Sequence, residues 1–297
     1  MGKVNYSFLN KTDAFDVLSK DDDFLRSLNK ENLKFYILGE GFTLDPREYS
    51  VDDYKAIVKL ACRDFPEKKK EKVRFVLDKV NVIWENNGFP DLEVRFIETD
   101  GTEAFGLPYT RGNCVILPVN LKNKGSSILD FLNAGLVIHE IFHVLSRAYP
   151  EIKTTLYSFF GFEPTSVLDF DGFLINPDAP LYNQKINLLN KDQVPFYGML
   201  NLHIKTKGGV YTSLEWKKIL NLQTKKYVKF EDTNLAQIIG PNTQYIIHPE
   251  EICAEHFRLV FANQSVEEVN PYSKVAGEIK DQGKLDDFLN KLKQCKF

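Results

Sequence analysis

Apolar positions along the 297-residue chain change period several times, and each change marks an element. Over the first sixty residues, short amphipathic stretches predict helices around Asp13 to Leu18, Asp23 to Leu38 and Asp52 to Asp64. Pro66 opens a longer helix to about Asn86, with Val73, Val76, Leu77, Val80 and Ile83 on one stripe and Asn87-Gly88 as its stop. The period then shortens to two. Leu92, Val94 and Phe96 alternate with Glu93 and Arg95, which predicts a half-buried strand. Turn-rich segments at Thr99-Asp100-Gly101 and Arg111-Gly112-Asn113 follow, and a second strand is expected from Cys114 to Val119.

The next pattern is a helix from Ser127 to Arg147 that is apolar on almost every face, from Leu129 and Phe131 through Ile138, Ile141 and Phe142 to Leu145. Ser127 with Asp130 resembles a capping box, Arg147 suits the dipole of the last turn, and Pro150 ends the helix. A helix of this kind is buried on most sides, so its few polar residues need partners, and two of them are histidines. From Pro150 to Gln244, aromatics, prolines and short turns do not resolve into named elements, although a compact domain rarely carries so long a structureless insertion. Legible pattern returns at His248, where Pro249 fits a first helical position and acids fill the first turn of a helix to about Ala262. A last helix is predicted from Lys284 to Lys293.

His139-Glu140-Ile141-Phe142-His143 carries the sharpest chemistry. Residues four apart on a helix share a face, so both imidazoles can reach one ion, and neutral imidazole is a good zinc ligand. Glu140 stands where its carboxylate can take a proton from a zinc-bound water, whose pKa the metal lowers towards neutrality. Gly135, one turn earlier, leaves space beside the ion. Chance produces such a pattern in on the order of one chain in a hundred of this length, and burying two histidines and a glutamate without a partner is costly.

A catalytic zinc site usually takes three protein ligands. Ser146 and Tyr149 occupy the positions where a metzincin would carry its Gly and third His. Glu251 is the favoured third ligand, with Ala254 allowing close helix approach and Glu255 placed to accept from the free N–H of a liganding ring. Glu163 stays open as a rival, although Pro164 disfavours a helix there. For the donor that steadies a developing oxyanion, Tyr157, Tyr182, His203, Tyr245 and His248 qualify by type. His248 and His203 are the catalytic candidates carried forward beside Glu140, with a helix N-cap as the alternative role for His248. His256 is expected to point away from the ion. Asn176-Pro177-Asp178-Ala179-Pro180 reads as a rigid turn that could shape a cleft.

HEIFH with a downstream EICAE resembles the gluzincin clan of zinc metallopeptidases, whose second motif is ExxxD or ExxAD. The resemblance covers the two motif helices. It implies His139, His143 and Glu251 as Zn2+ ligands, Glu140 as general base and Glu255 in the place of the acid that orients a ligand ring. Two departures are the Glu at 255 and the long gap between the motifs. The resemblance further implies an α+β, zincin-like fold with a small sheet, an active-site helix and a mostly helical C-terminal part. In that fold the strand from Cys114 would serve as the edge on which extended peptides lie.

Composition changes this picture little. A hydrophobic fraction of 43% and a charged fraction of 27% allow a sizeable core, and a net charge of −3 argues against a nucleic-acid partner. The run Lys68-Lys69-Lys70-Glu71-Lys72 reads as a solvated helix face. Cys62, Cys114, Cys253 and Cys295 show no C-x-x-C spacing, which favours a reducing compartment. No stretch is apolar enough for a membrane span, and the opening residues lack the core of a leader, so a cytoplasmic protein is expected (secreted if a leader has been trimmed). The expected organisation is a helical segment over residues 1–64 and a catalytic domain over 65–297. The expected partner is a peptide or protein substrate, and the alternative function is a non-catalytic zinc- or peptide-binding protein on the same scaffold.

Overall fold

The computed structural model describes residues 2–39, 47–119, 134–167, 173–207, 210–215, 218–264, 279–295 and 297. Its centre is a mixed sheet in the order β1-β3-β5-β4. Strand β1 (Val4–Phe8) runs parallel to β3 (Leu92–Thr99), and β3 runs parallel to β5 (Cys114–Pro118). Strand β4 (Tyr109–Arg111) returns antiparallel along β5, and the short β2 (Cys62–Arg63) pairs with the end of β3. The protein is therefore mixed α+β. Strand β5 is interior, which corrects its expected place at a sheet edge; β4 covers that side.

Both faces of this sheet are buried, and the register explains how. Phe96 sits opposite Val115 and Ile97 opposite Ile116. Phe96 and Val115 face a core that includes Val73, Leu77, Val80 and Trp84 of α5 (Glu67–Asn86) and Val137, Ile138 and Ile141 of α6 (Ala134–Ala148). Ile97 and Ile116 face a second core made with Leu18, Phe24, Phe35 and Tyr54. These come from α1 (Lys11–Leu18), α2 (Asp23–Ser27), α3 (Lys30–Leu38) and α4 (Val51–Ala61). The alternation at Leu92 to Phe96 thus gives way to continuous burial, as expected of a strand covered on both sides.

Several expected elements change in detail. The helix expected over Asp23 to Leu38 is two helices, broken where Leu28 turns extended and Asn29 caps α3 through the Asn32 N–H. Strand β1 was not anticipated among the N-terminal helices, and β1 and β2 place residues before 64 in the same sheet as β3. Asn87 closes α5 and Gly88 follows at φ +69°, a left-handed conformation that glycine adopts without strain. Lys69 departs from the solvated face, buried with its ammonium 2.9 Å from Glu98 and 3.0 Å from the Leu117 carbonyl. The expected cap at Ser127 and Asp130 lies outside the described residues. Pro150 both follows α6 and starts α7 (Pro150–Phe159).

The segment that resisted a sequence reading is rich in strands, and the C-terminal part that follows it is helical. Strands β6 (Phe162–Pro164), β7 (Gln184–Leu189), β8 (Pro195–Leu200), β11 (Lys218–Asn221) and β12 (Tyr227–Lys229) form an antiparallel sheet, and β9 (His203–Lys207) pairs with β10 (Val210–Glu215). Three helices follow: α8 (Leu235–Ile239), α9 (Pro249–Asn263) and α10 (Gln282–Lys293). All four cysteines are buried and unpaired to one another. No helix among the described residues is long and apolar enough to cross a membrane.

Helix α9 packs against α6, and this pair brings the two motifs together. Phe142 is fully buried between them, its ring 5.4 Å from that of Phe257. Phe142→Ala should lower the unfolding free energy by about 3–5 kcal/mol in urea denaturation. A loss under about 1 kcal/mol would contradict this packing.

Candidate metal centre

Helix α6 presents His139 and His143 one turn apart, with ring centroids 4.9 Å from each other. Helix α9 meets them with three acids from its first two turns. His139 Nδ1 lies 2.9 Å from Glu255 Oε1, and its Nε2 lies 3.0 Å from Glu251 Oε2. His143 Nδ1 lies 3.2 Å from Glu250 Oε1, and its Nε2 lies 3.6 Å from the same Glu251 oxygen. Each ring therefore has one nitrogen held by its own carboxylate and the other turned towards Glu251. His139, His143 and Glu251 form a buried group whose ligand atoms lie within 4.8 Å of one another and could hold a metal ion.

Burial and charge oppose each other throughout the site. Burial works against charge on His139, yet hydrogen bonds to Glu251 and Glu255 outweigh it and raise its pKa to about 10. His143 behaves alike: burial disfavours its charge, but Asp178, Glu251 and Glu250 lift its pKa well above the ordinary value. Burial would raise Glu251, and the two rings instead hold it well below the usual carboxylate range. Glu250 is fully buried and stays ionised because Lys153, His143 and the Ser146 hydroxyl offset its desolvation; the Tyr157 hydroxyl also donates to it. Glu255 falls to about 2 against its burial through His139 and Arg258. For Glu140 the balance is reversed, because the pull of His139 and His143 does not offset its burial. Burial first, and then the negative charge of Asp178, push it up to about 8.

A third element completes the centre. Asn176 to Ala179 form a tight turn in which the Asn176 side-chain oxygen accepts from the Asp178 N–H at 3.0 Å. The other end of the same amide donates to Glu251 Oε1 at 2.6 Å, leaving Oε2 to face the rings. Asp178 is brought beside Glu140 and His143, the three offering ligand atoms within 4.8 Å. Arg147, one turn past His143, ties this turn to the sheet by donating to the carbonyls of Asp178 and Gly112 and to the Thr110 hydroxyl.

Of the residues expected from sequence, His139, Glu140, His143, Glu251 and Glu255 come together here. Glu163 does not. It lies on β6 with its side chain 58% exposed and 3.7 Å from Lys185, far too open for a buried ligand. His203 lies on β9 with its ring packed on that of Tyr227, and no contact between it and the two imidazoles is seen among the described residues. His248 is the N-cap of α9, with Nδ1 accepting from the Glu250 N–H at 3.0 Å, so its role is the capping one. Among the donor types, Tyr245 reaches the site, with its ring 6.3 Å from that of His139. Tyr245 is 38% exposed as a residue, but burial around its hydroxyl and then Glu251, Asp178, Glu140 and Glu255 raise its pKa and keep the hydroxyl protonated. His256 points away, bonding the Ile252 carbonyl on its own helix at 2.8 Å. Glu250 is not among the site residues expected from sequence, and Asn176 and Asp178, expected only as a turn that could shape a cleft, stand in the centre itself.

The chemistry of these donors fits a divalent cation. Nε2 of His143 and Oε2 of Glu140 are buried with no hydrogen-bond partner, and three carboxylates crowd two imidazoles. Without the cation both rings hold their Nε2 protons at neutral pH, and a ligand nitrogen must lose its proton. Cation binding at pH 7 should therefore release about two protons, measurable by calorimetry in buffers of different ionisation heat, and affinity should rise with pH towards 10. Binding without proton release would contradict the ring assignments. Asn176→Asp cannot donate to Glu251 and should weaken metal binding about 10–100-fold in a chelator competition. Unchanged affinity would show that the amide does not orient this carboxylate. Compared with known proteins, the chain matches no family model, no curated protein and no solved structure.

Proposed function

We propose that this chain is a zinc-dependent metallopeptidase with a zincin-like arrangement, in which His139, His143 and Glu251 hold the ion and Glu140 is the general base. What carries the reading is Glu140. Its buried carboxylate has an oxygen without a partner, next to two imidazoles whose far nitrogens are already taken by Glu255 and Glu250. Two imidazoles and one carboxylate are a ligand set that catalytic zinc uses, with a fourth position left for water or substrate. When bound, such an ion acts as a Lewis acid that lowers the pKa of water and polarises a carbonyl.

The chain's own residues supply the rest. Glu140 stands beside His143 in the buried centre, and with a bound cation favouring its ionised form it would take the proton of an attacking water and return it to the departing amine nitrogen. Glu255 and Glu250 fix both ring orientations by accepting from Nδ1. Asn176 holds one oxygen of Glu251, so that the other faces the rings. Tyr245, protonated and beside His139, is the donor available to a developing oxyanion.

With zinc loaded, the protein should cleave members of a broad peptide library and lose that activity to chelator. Glu140→Gln should keep its zinc and lower kcat by about 10²–10⁴-fold. Tyr245→Phe should keep zinc affinity and lower kcat by about 10²–10³-fold. A Glu140→Gln protein that turns over as fast as its parent would overturn the mechanism.

A further inference from the structure

Asp178 is held in place by one oxygen and offers the other. Its Oδ1 accepts from the Thr110 N–H at 2.7 Å and from the Thr110 hydroxyl. Its Oδ2 receives no hydrogen bond from any described residue, although the side chain is 7% exposed and stands beside Glu140 and His143. Asp178 also lines a cavity of about 500 Å³, whose walls include the apolar Phe162, Pro177, Ala179, Pro180 and Leu181.

The other charges around that cavity are matched. Asp22 pairs with Arg111, Asp23 with Arg26, Glu163 with Lys185, and Lys153 faces Glu250 at 3.8 Å. Arg147 spends its donors on two carbonyls and the Thr110 hydroxyl, which places it on the Oδ1 side of Asp178. Among the described residues lining the cavity, Asp178 is thus the one carboxylate whose strongest charged neighbour, His143, belongs to the metal centre itself. Glu251 stays ionised at the centre, so that together with Asp178 it offsets the charge of a divalent ion.

We infer that the site takes peptides by their free amino terminus, with Asp178 Oδ2 binding the α-ammonium group and the cavity receiving a bulky apolar first side chain. This rests on the peptidase reading above and names its substrate class. Distance selects the α-amine. Its nitrogen lies two bonds, about 2.5 Å, from the carbonyl carbon of its own residue, whereas a lysine ammonium stands several bonds further away. A carboxylate within 4.8 Å of the Glu140 and His143 ligand atoms therefore suits the amine of the residue being released. Water adds its oxygen to that residue's carbonyl carbon, the C–N bond breaks, and the second residue's nitrogen leaves with a proton delivered by Glu140.

Binding tests this without turnover. Zinc-loaded Glu140→Gln protein is titrated with phenylalanyl-alanyl-alanine amide and with its N-acetylated form. The free amine should bind about 10–100-fold more tightly, the range of a charge-assisted hydrogen bond. Adding Asp178→Asn, which can still accept from Thr110, should bring the ratio close to one while zinc content and melting temperature hold. Cleavage by the parent should release the first residue of the free peptide and spare the acetylated one. Equal binding of the two peptides to zinc-loaded protein, a preference that survives Asp178→Asn, or equal cleavage of the acetylated peptide overturns this inference alone. A parent protein that takes up no zinc overturns it together with the peptidase reading.

Discussion

Four imidazole nitrogens held away from water organise this molecule. His143 is fully buried and His139 nearly so, on a helix with no polar face to turn outward. Stripping one partner from a buried charged pair costs about 3–5 kcal/mol, a large share of the 5–15 kcal/mol that keeps a typical domain folded. Helix α9 must therefore meet α6 with its acids in register. Glu255 and Glu250 each take one Nδ1, and Glu251 lies against both Nε2 atoms. More distant parts serve the same contact: Tyr157 and Lys153 from α7 support Glu250, and Asn176 supports Glu251.

This arrangement is stable in two protonation states, and that is what suits it to an ion. With protons on both rings, Glu251 accepts from imidazolium and remains ionised deep in the core. With a divalent cation in their place, the same three groups remain neutralised without moving their outer partners, because Glu250 and Glu255 bond the opposite nitrogens. Glu140 is the exception, since no ion pair to it is formed among the described residues, its Oε2 has no hydrogen bond, and burial outweighs the pull of the two rings. A buried acid raised to about 8 and short of hydrogen bonds changes its charge near neutral pH, as the proposed proton transfer requires.

Legibility followed local periodicity. The pair of strands, helices α5, α6 and α9, and the central His139, Glu140, His143, Glu251 and Glu255 were readable because each has a strong period or a fixed spacing. Strands β6 to β12 were not, since Pro195, Gly198 and the polar faces of β7 and β12 interrupt any alternation. Strand β1 was hidden because it depends on pairing with β3, far away in sequence. Glu250 had a signal that went unused. Two liganding rings need two acceptors for their Nδ1 protons, and Glu255 can serve only one. The acids at the helix start suit its dipole, and one of them, Glu250, also answers the second ring. Asn176 and Asp178 act through a turn distant in the chain from both motifs, so only the folded chain shows their use.

The way α9 begins ties these parts together. His248 caps it through a ring nitrogen that accepts the Glu250 N–H, and Pro249 sets the first helical residue. Burial lowers the His248 pKa to about 4, so the ring stays neutral and keeps its acceptor nitrogen at neutral pH, where the acids below it are charged. A histidine free to protonate there would lose the cap and put a third positive ring beside the other two. The capped first turn also places Glu250 and Glu251 at the positive end of the helix dipole, which favours their anionic forms. Three features that look separate in the sequence, an N-cap, a proline and a pair of glutamates, thus act as one device. It holds two adjacent carboxylates ionised in the core and gives each a different side of the same pair of rings.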